Sequence, residues 1–464
     1  MSICHSGLDS KVQGGTVEIE INATHPLIQF ANSLLWDEIA DIVMQDLKST
    51  TAKKKWWIGR PLKLRIHLSI YMLQQLFNKT DRQIEYDVKD NAAYQLFCGR
   101  ASVKKWHCPD HTKIEEFRSR LSPDTQQRLA NHITTLANRL GFSNPAQFDI
   151  DSTIQKANMA YPSDVHLLTK VGCMTKKVWS YLTKKIINFQ LEPISINLKE
   201  IKTKARACFF SKSQDIEEKN RRLHDLWMSV FKQVYPVLKI LDKVLDEVDW
   251  KRMPWNIKQT AEQLLQHAHH YLVDVTIFLN RGIMEADKRL SFHLDQVSCF
   301  NKENFKGLQF GRAYQLGRVG GNFLIVGKCT SIRMEDKSSV RPMIEMHQEL
   351  FGKEKAISTA LDKGYYSKNN KHILKEMTGD AIGLQQPGKS LIAYTEEELK
   401  KQSELVNRRA GIEPLIGHAK HGGQLGISRM KSDETTESSG YSAILGFNGR
   451  QLIRYLKGAA SPCK

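Results

Sequence analysis

The chain has 464 residues, of which 41% are apolar and 25% charged, enough for two or three domains with sizeable cores. Lys plus Arg exceed Asp plus Glu by 68 − 50 = 18, and the pI near 9.4 favours a polyanionic partner such as DNA, RNA or an anionic membrane. No run approaches the roughly 18 apolar residues of a bilayer span, and Met1 to Gly15 lacks a basic stretch followed by an apolar one. A cytosolic nucleic-acid protein is the expected class.

From Pro26 to about Leu140 the pattern is helical, with helix-start signals at Thr80 to Gln83, Thr112 to Glu115, and Ser122 followed by Pro123. Inside this region a basic lead-in at Lys53 to Lys55 precedes an apolar helix around Leu68 to Leu76. A polar turn at Asn78 to Thr80 and a second helix from Asp81 follow, an arrangement compatible with helix-turn-helix. At Phe148 the period becomes two, with Phe148 and Ile150 facing one way, Asp149 and Asp151 the other, and "STI" extending the strand. Carboxylates on one face of a core strand are costly unless solvated, paired or metal-bound.

A long helical section comes next. Its stripe of Leu223, Trp227, Val230, Phe231, Val234, Leu238, Leu241, Leu245 and Val248 reads as core or subunit interface. Strand character returns at "RAYQLGRVGGNFLIVGKCT", where Gly320 and Gly321 supply a hairpin turn. A helix at "SVRPMIEMHQELFG", the strand "KAISTALD", the helix "KNNKHILKEM" and the strand "DAIGLQQ" complete an α/β sheet, with Asp362 at the carboxyl end of a buried strand. The first strand is thus separated from its hairpin by a helical insertion.

Cysteines 4, 98, 108, 173, 208, 299, 329 and 463 show no C-x2-C pair, so neither a disulfide framework nor a structural zinc site is suggested. His107, Cys108 and His111, and likewise His267, His269 and His270, lack a second half of a metal site. In "RRAGIEPLIGHAKHGG" a lone Glu413 lies four residues after Arg409 and seven before Lys420. At helical spacing the three share a stripe, and the plain reading is a solvated ion-pair ladder, although Gly411 and Pro414 are helix-boundary signals. Three carboxylates stand out by context: Asp151, Asp362 and Glu413. Hard oxygen ligands suit Mg²⁺ or Mn²⁺, and a basic chain with such a set is a candidate for phosphoryl transfer on nucleic acid.

These segments together resemble the DDE transposases of bacterial insertion sequences. "DIDSTIQKANMAYPSD" is similar to the family's first-Asp strand, "LDKGYYS" to its second-Asp motif and "RRAGIEP" to its third. Residues 59–99 are similar to the family's amino-terminal domain, and "SSGYSAILGFNGRQLIRYL" to its carboxyl-terminal helix. The resemblance implies an α/β ribonuclease-H-like catalytic core with an all-α amino-terminal domain and an α-helical insertion between the first strand and the following hairpin. It divides the chain into a helical DNA-binding domain (1–140), the first part of the core (141–185), the insertion (186–300), the second part of the core (301–450) and a tail (451–464).

Asp151, Asp362 and Glu413 are the implied catalytic residues and ligands of Mg²⁺, with Mn²⁺ as substitute. Arg409 and Lys420, the R and K of the third motif Y-x2-R-x3-E-x6-K, are the implied grips on DNA phosphates, while the Tyr position is Val406. Asp149 competes with Asp151, which is chosen for its D-S-T context. Tyr365, Tyr366 and His418 lie near the motifs and read either as DNA contacts or as packing. The implied partners are double-stranded DNA, both transposon ends and target, and a second copy of the chain on DNA; no membrane is involved and the location is the cytoplasm, at the nucleoid. The rival readings are a non-catalytic DNA-binding protein or repressor on the same fold, and a nuclease without strand transfer.

Overall fold

The computed structural model describes residues 20–52, 63–100, 108–185, 194–210, 215–247, 253–282, 289–301, 307–328, 336–352, 356–387 and 395–458. The basic lead-in at Lys53 to Lys55, His107, Cys4, Cys329 and Cys463 lie outside them.

Helices α1 (Pro26–Ser33), α2 (Trp36–Ala52), α3 (Leu64–Leu76), α4 (Asp81–Asp90), α5 (Ala92–Phe97), α6 (His111–Ser119) and α7 (Pro123–Arg139) form the amino-terminal part. Thr80 caps α4 through the box with Gln83, and Ser122 caps α7 ahead of Pro123. The cap of α6 is Asp110 rather than Thr112, because its carboxylate accepts from Lys113 N–H at 2.9 Å. Asn78, at φ 50°, makes the turn between α3 and α4. Buried side chains line α3 from Leu68 to Leu76, so this helix is a core element, and α4 carries four acidic residues against two basic ones.

Strand β1 (Asn144–Lys156) is the centre of a six-stranded mixed sheet among the described residues. It pairs antiparallel with β3 (Leu308–Gly320) and parallel with β5 (Ser358–Leu361), which pairs in parallel with β6 (Ala381–Gly383). The far edge of β3 is shared by β2 (Ser298–Asn301) against its first residues and β4 (Phe323–Val326) against its last. The β3–β4 turn is Gly321-Asn322, at φ 84° and 60°, one residue later than the expected Gly320-Gly321. A Cβ on Gly321 would lie 2.1 Å from the Phe142 carbonyl oxygen, so both the left-handed backbone and the close approach require glycine there.

Between β1 and β2 come α8 (Asp164–Lys185), α9 (Leu198–Phe209), α10 (Ile216–Glu247), α11 (Trp255–Gln263), a π-helical turn (Leu264–Ala268) and α12 (His269–Arg281). They enclose a core of their own, to which α10 gives Val230, Val234, Leu238 and Leu241. Trp227 and Phe231 of the expected stripe are only half-buried and stack in a ladder with Tyr235, at centroid distances of 5.1 and 4.8 Å.

After the sheet's hairpin come α13 (Asp336–Phe351), α14 (Lys368–Met377) between β5 and β6, then α15 (Glu396–Ala410), α16 (Ile412–His421) and α17 (Asp433–Leu456). The main core joins the amino-terminal helices, the sheet and α17. Two asparagines close the outer edge of β4. Asn131 of α7 accepts from Val326 N–H at 2.8 Å, and Asn448 of α17 accepts from Leu324 N–H at 3.0 Å and donates to its carbonyl at 2.7 Å. An edge covered in this way offers no template for another strand. Tyr71 of α3 donates to Gln126 at 2.8 Å and lies 2.9 Å from the Ser442 hydroxyl, so α3, α7 and α17 meet at one buried polar knot. No helix among the described residues is long and apolar enough to cross a membrane.

Candidate active site

The alternation of β1 sends Asp149 and Asp151 to the same face, and their surroundings then separate them. Asp149 is 2% exposed. It accepts from Arg408 Nε at 3.0 and 3.3 Å and from Arg408 Nη2, while Arg318 Nη1 stands 3.7 Å away. Burial raises its carboxyl above the usual range and the two guanidiniums oppose that shift. These contacts tie the end of α15 to the central strand.

Asp151, two residues further towards the strand's carboxyl end, is 18% exposed. The parallel register sets Ile150 beside Leu361, so the next residues, Asp151 and Asp362, come together where β5 ends. Asp362 lies at the start of a 3₁₀ turn (Lys363–Tyr365) with its side chain 53% exposed. Glu413, in the first turn of α16, is 64% exposed.

What gathers the three is Arg409. Its Nη1 is 3.4 Å from Asp151 and 4.0 Å from Asp362, and its Nη2 donates to Glu413 at 3.2 Å. Burial pushes the Asp151 carboxyl up to about 6; the Ser152 N–H and Arg409 pull it back, and the Asp362 and Glu413 charges push it further. Among the described residues no group of three His, Cys, Asp or Glu side chains stands ready to hold a metal ion as placed. The guanidinium, rather than an open cavity, fills the space between the carboxylates.

The third motif is not one continuous helix. It breaks at Gly411, where α15 ends and α16 begins. Arg318 Nη1 donates to the Arg408 carbonyl at 2.7 Å and caps α15; a Cβ on Gly411 would lie 2.5 Å from that same nitrogen. Arg409 and Glu413 nevertheless remain within hydrogen-bond reach across the break. Lys420 is half-buried near the end of α16, two turns beyond Glu413.

Tyr365 is 1% exposed and donates to Gln315 at 2.9 Å, which makes it packing beneath the site and not a ligand contact. Gln315 in turn donates to Asp336 at 3.3 Å, a fourth carboxylate, from the start of α13. Tyr366 donates to Gln386 at 2.9 Å, and His418 is exposed. Sequence reasoning missed Arg318, Arg408 and Asp336. The one available signal was the doublet Arg408-Arg409 facing the doublet of aspartates on β1, and the pairing spans about 260 positions of chain. In the two histidine groups, His111 lies 2.9 Å from Glu85 and His267 3.4 Å from Asp295.

Residues 16–120 match the family profile described as "Transposase domain (DUF772)". This similarity supports a transposase role in general, an activity on DNA. No curated protein and no solved structure matches the chain.

Proposed function

We propose that the chain is an insertion-sequence transposase of the DDE type, which hydrolyses a phosphodiester at the transposon end and joins the freed 3′ hydroxyl to target DNA. The observation that carries the reading is the convergence of Asp151, Asp362 and Glu413 on Arg409, beside the middle of β1 and at the carboxyl end of β5. The strand pattern, an antiparallel set joined through β1 to two parallel strands, is compatible with a ribonuclease-H-like core.

The donor chemistry fits Mg²⁺ or Mn²⁺: three carboxylates from three separate elements, two of them open to solvent, and the third pushed up in pKa first by burial and then by its acidic neighbours, a strain that a bound cation would relieve. Such ions, when bound, would activate a hydroxyl nucleophile and stabilise a leaving oxygen. Asp151, Asp362 and Glu413 would hold them. Arg409 and Lys420 would hold phosphates of the end, the planar guanidinium by a two-pronged contact and the ammonium as a point charge. Asp149 and Arg408 keep α15 in place and take no part in the chemistry. Work on two ends calls for a homodimer on DNA, and the bacterial nucleoid is the setting.

The test is incubation of the purified protein with Mg²⁺ and the DNA flanking its own gene, with mapping of nicks and joined products. Nicks at the element ends together with joined strands are expected, and both should vanish in Asp151→Ala. Cutting without joining would make the protein a nuclease; binding without cutting would make it a repressor-like protein on the same fold.

A further inference from the structure

Two arginines adjacent in sequence make very different contacts. Arg408 is locked: Nε and Nη2 both donate to Asp149, Nη1 donates to Ser358, and the carboxylate it holds is 2% exposed. Arg409 instead reaches three carboxylates with one loose contact each, at 3.2 to 4.0 Å, and two of those carboxylates are more than half exposed. Those carboxylates are the side-chain partners it shows among the described residues.

A permanent structural ion pair resembles the first arrangement, with a two-pronged fork in a buried site. The second resembles a counter-ion. Three carboxylates around one guanidinium repel one another, and that single group leaves 3 − 1 = 2 of their formal negative charges uncompensated. A cation of higher charge at the same point would neutralise more of them. Both cannot occupy it together, since a guanidinium and a divalent ion a few ångströms apart repel strongly in a partly buried site.

We infer that Arg409 is an exchangeable counter-ion of the carboxylate site: it occupies the position of a divalent cation in the free protein and must swing out before Asp151, Asp362 and Glu413 can take one. The inference rests on the reading, above, that these carboxylates are cation ligands. Its consequence is that cation affinity in the free protein is held down by an internal competitor, so anything that draws Arg409 away raises that affinity by linkage.

The experiment is calorimetric titration of the full chain with Mn²⁺, without DNA, for wild type, Arg409→Gln, Arg409→Lys and the double variant Asp151→Asn with Arg409→Gln. Melting temperatures in chelator and in Mn²⁺ are measured alongside. Arg409→Gln is expected to bind Mn²⁺ about tenfold tighter or better, because the competing charge is gone. It should also melt lower than wild type in chelator and gain more from Mn²⁺. Arg409→Lys, which keeps a charge but cannot bridge three partners, should fall between, and it serves as the comparison if Arg409→Gln does not fold. The gain should disappear in the double variant. Equal Mn²⁺ affinity in wild type and Arg409→Gln, lost on removing Asp151, would overturn the counter-ion role and leave the cation site standing. Absence of any Asp151-dependent Mn²⁺ binding would overturn the cation site itself and the inference with it.

Discussion

Arg408 holds Asp149 by two guanidinium nitrogens, with Nε at 3.0 Å, under a surface that leaves the carboxylate 2% exposed. Removing one member of such a pair strands a charge where water cannot reach it. Arg408→Ala should therefore lower stability by about 3 to 5 kcal/mol, with Arg318 left as a partial partner. Asp149→Leu with Arg408→Met, of similar shape and without charge, should recover most of the loss. Chemical denaturation of the three proteins checks this; a cost below about 1 kcal/mol for Arg408→Ala would mean the pair does not anchor α15.

For the reaction itself, Asp151→Ala, Asp362→Ala and Glu413→Ala should each abolish end cleavage while DNA binding stays nearly intact. Lys420→Gln and Arg409→Gln should bind less well and cut far less, since a misplaced scissile phosphate loses orientation. Gel shift beside cleavage mapping separates the two effects. Cleavage that survives loss of any one carboxylate removes that residue from the site.

Acidity gives an independent handle on Asp151. Its carboxyl rises from 3.8 to about 6 on folding, so the folded state favours the protonated form. This contribution to stability is fully present below pH 3.8 and is lost as pH rises through about 6. Asp151→Asn should thus match wild type below about pH 4 and be more stable by roughly 1 to 3 kcal/mol above pH 7. Melting curves across that range, in chelator, decide the matter. A wild type that gains on Asp151→Asn as pH rises would contradict the cause named for the shift.

Helix α17 depends on close approach. A Cβ on Gly446 would lie 2.2 Å from the Gln75 carbonyl oxygen of α3, and one on Gly440 2.1 Å from the Tyr314 ring of β3. Gly446→Ala should cost about 1 to 3 kcal/mol by overpacking, despite the better helix propensity of alanine. For the same reason a fragment of residues 1–140, deprived of α17, should show helical far-ultraviolet dichroism without cooperative melting. A cooperative transition in that fragment would show that α17 is dispensable to the amino-terminal helices.

Local signals in the sequence read true where local physics decides. The Thr80–Gln83 box, the Ser122-Pro123 start, the alternation from Phe148 to Asp151 and the strand ending just before Asp362 all depend on residues within a few positions of one another. The hairpin came out one residue off because the two positive φ values fall on Gly321 and Asn322, and either glycine could have opened the turn. Beyond local reach were the partners set by the sheet. Nothing near Asp149 announces Arg408, and nothing near Arg409 announces that its guanidinium would stand among all three carboxylates. The break at Gly411 was signalled, but its cause, the Arg318 guanidinium against the Arg408 carbonyl, comes from β3.

The knot of Tyr71, Gln126 and Ser442 also has a bearing on how the chain is made. Tyr71 and Ser442 are separated by 371 positions. At ribosomal speeds of about 5 to 20 residues per second, α3 waits roughly 20 to 75 seconds for its partner to be synthesised. During that interval the helices matching the transposase domain expose the apolar side that α17 later covers. The amino-terminal helices therefore reach their final packing only after almost the whole polypeptide, including every carboxylate of the site, has been translated.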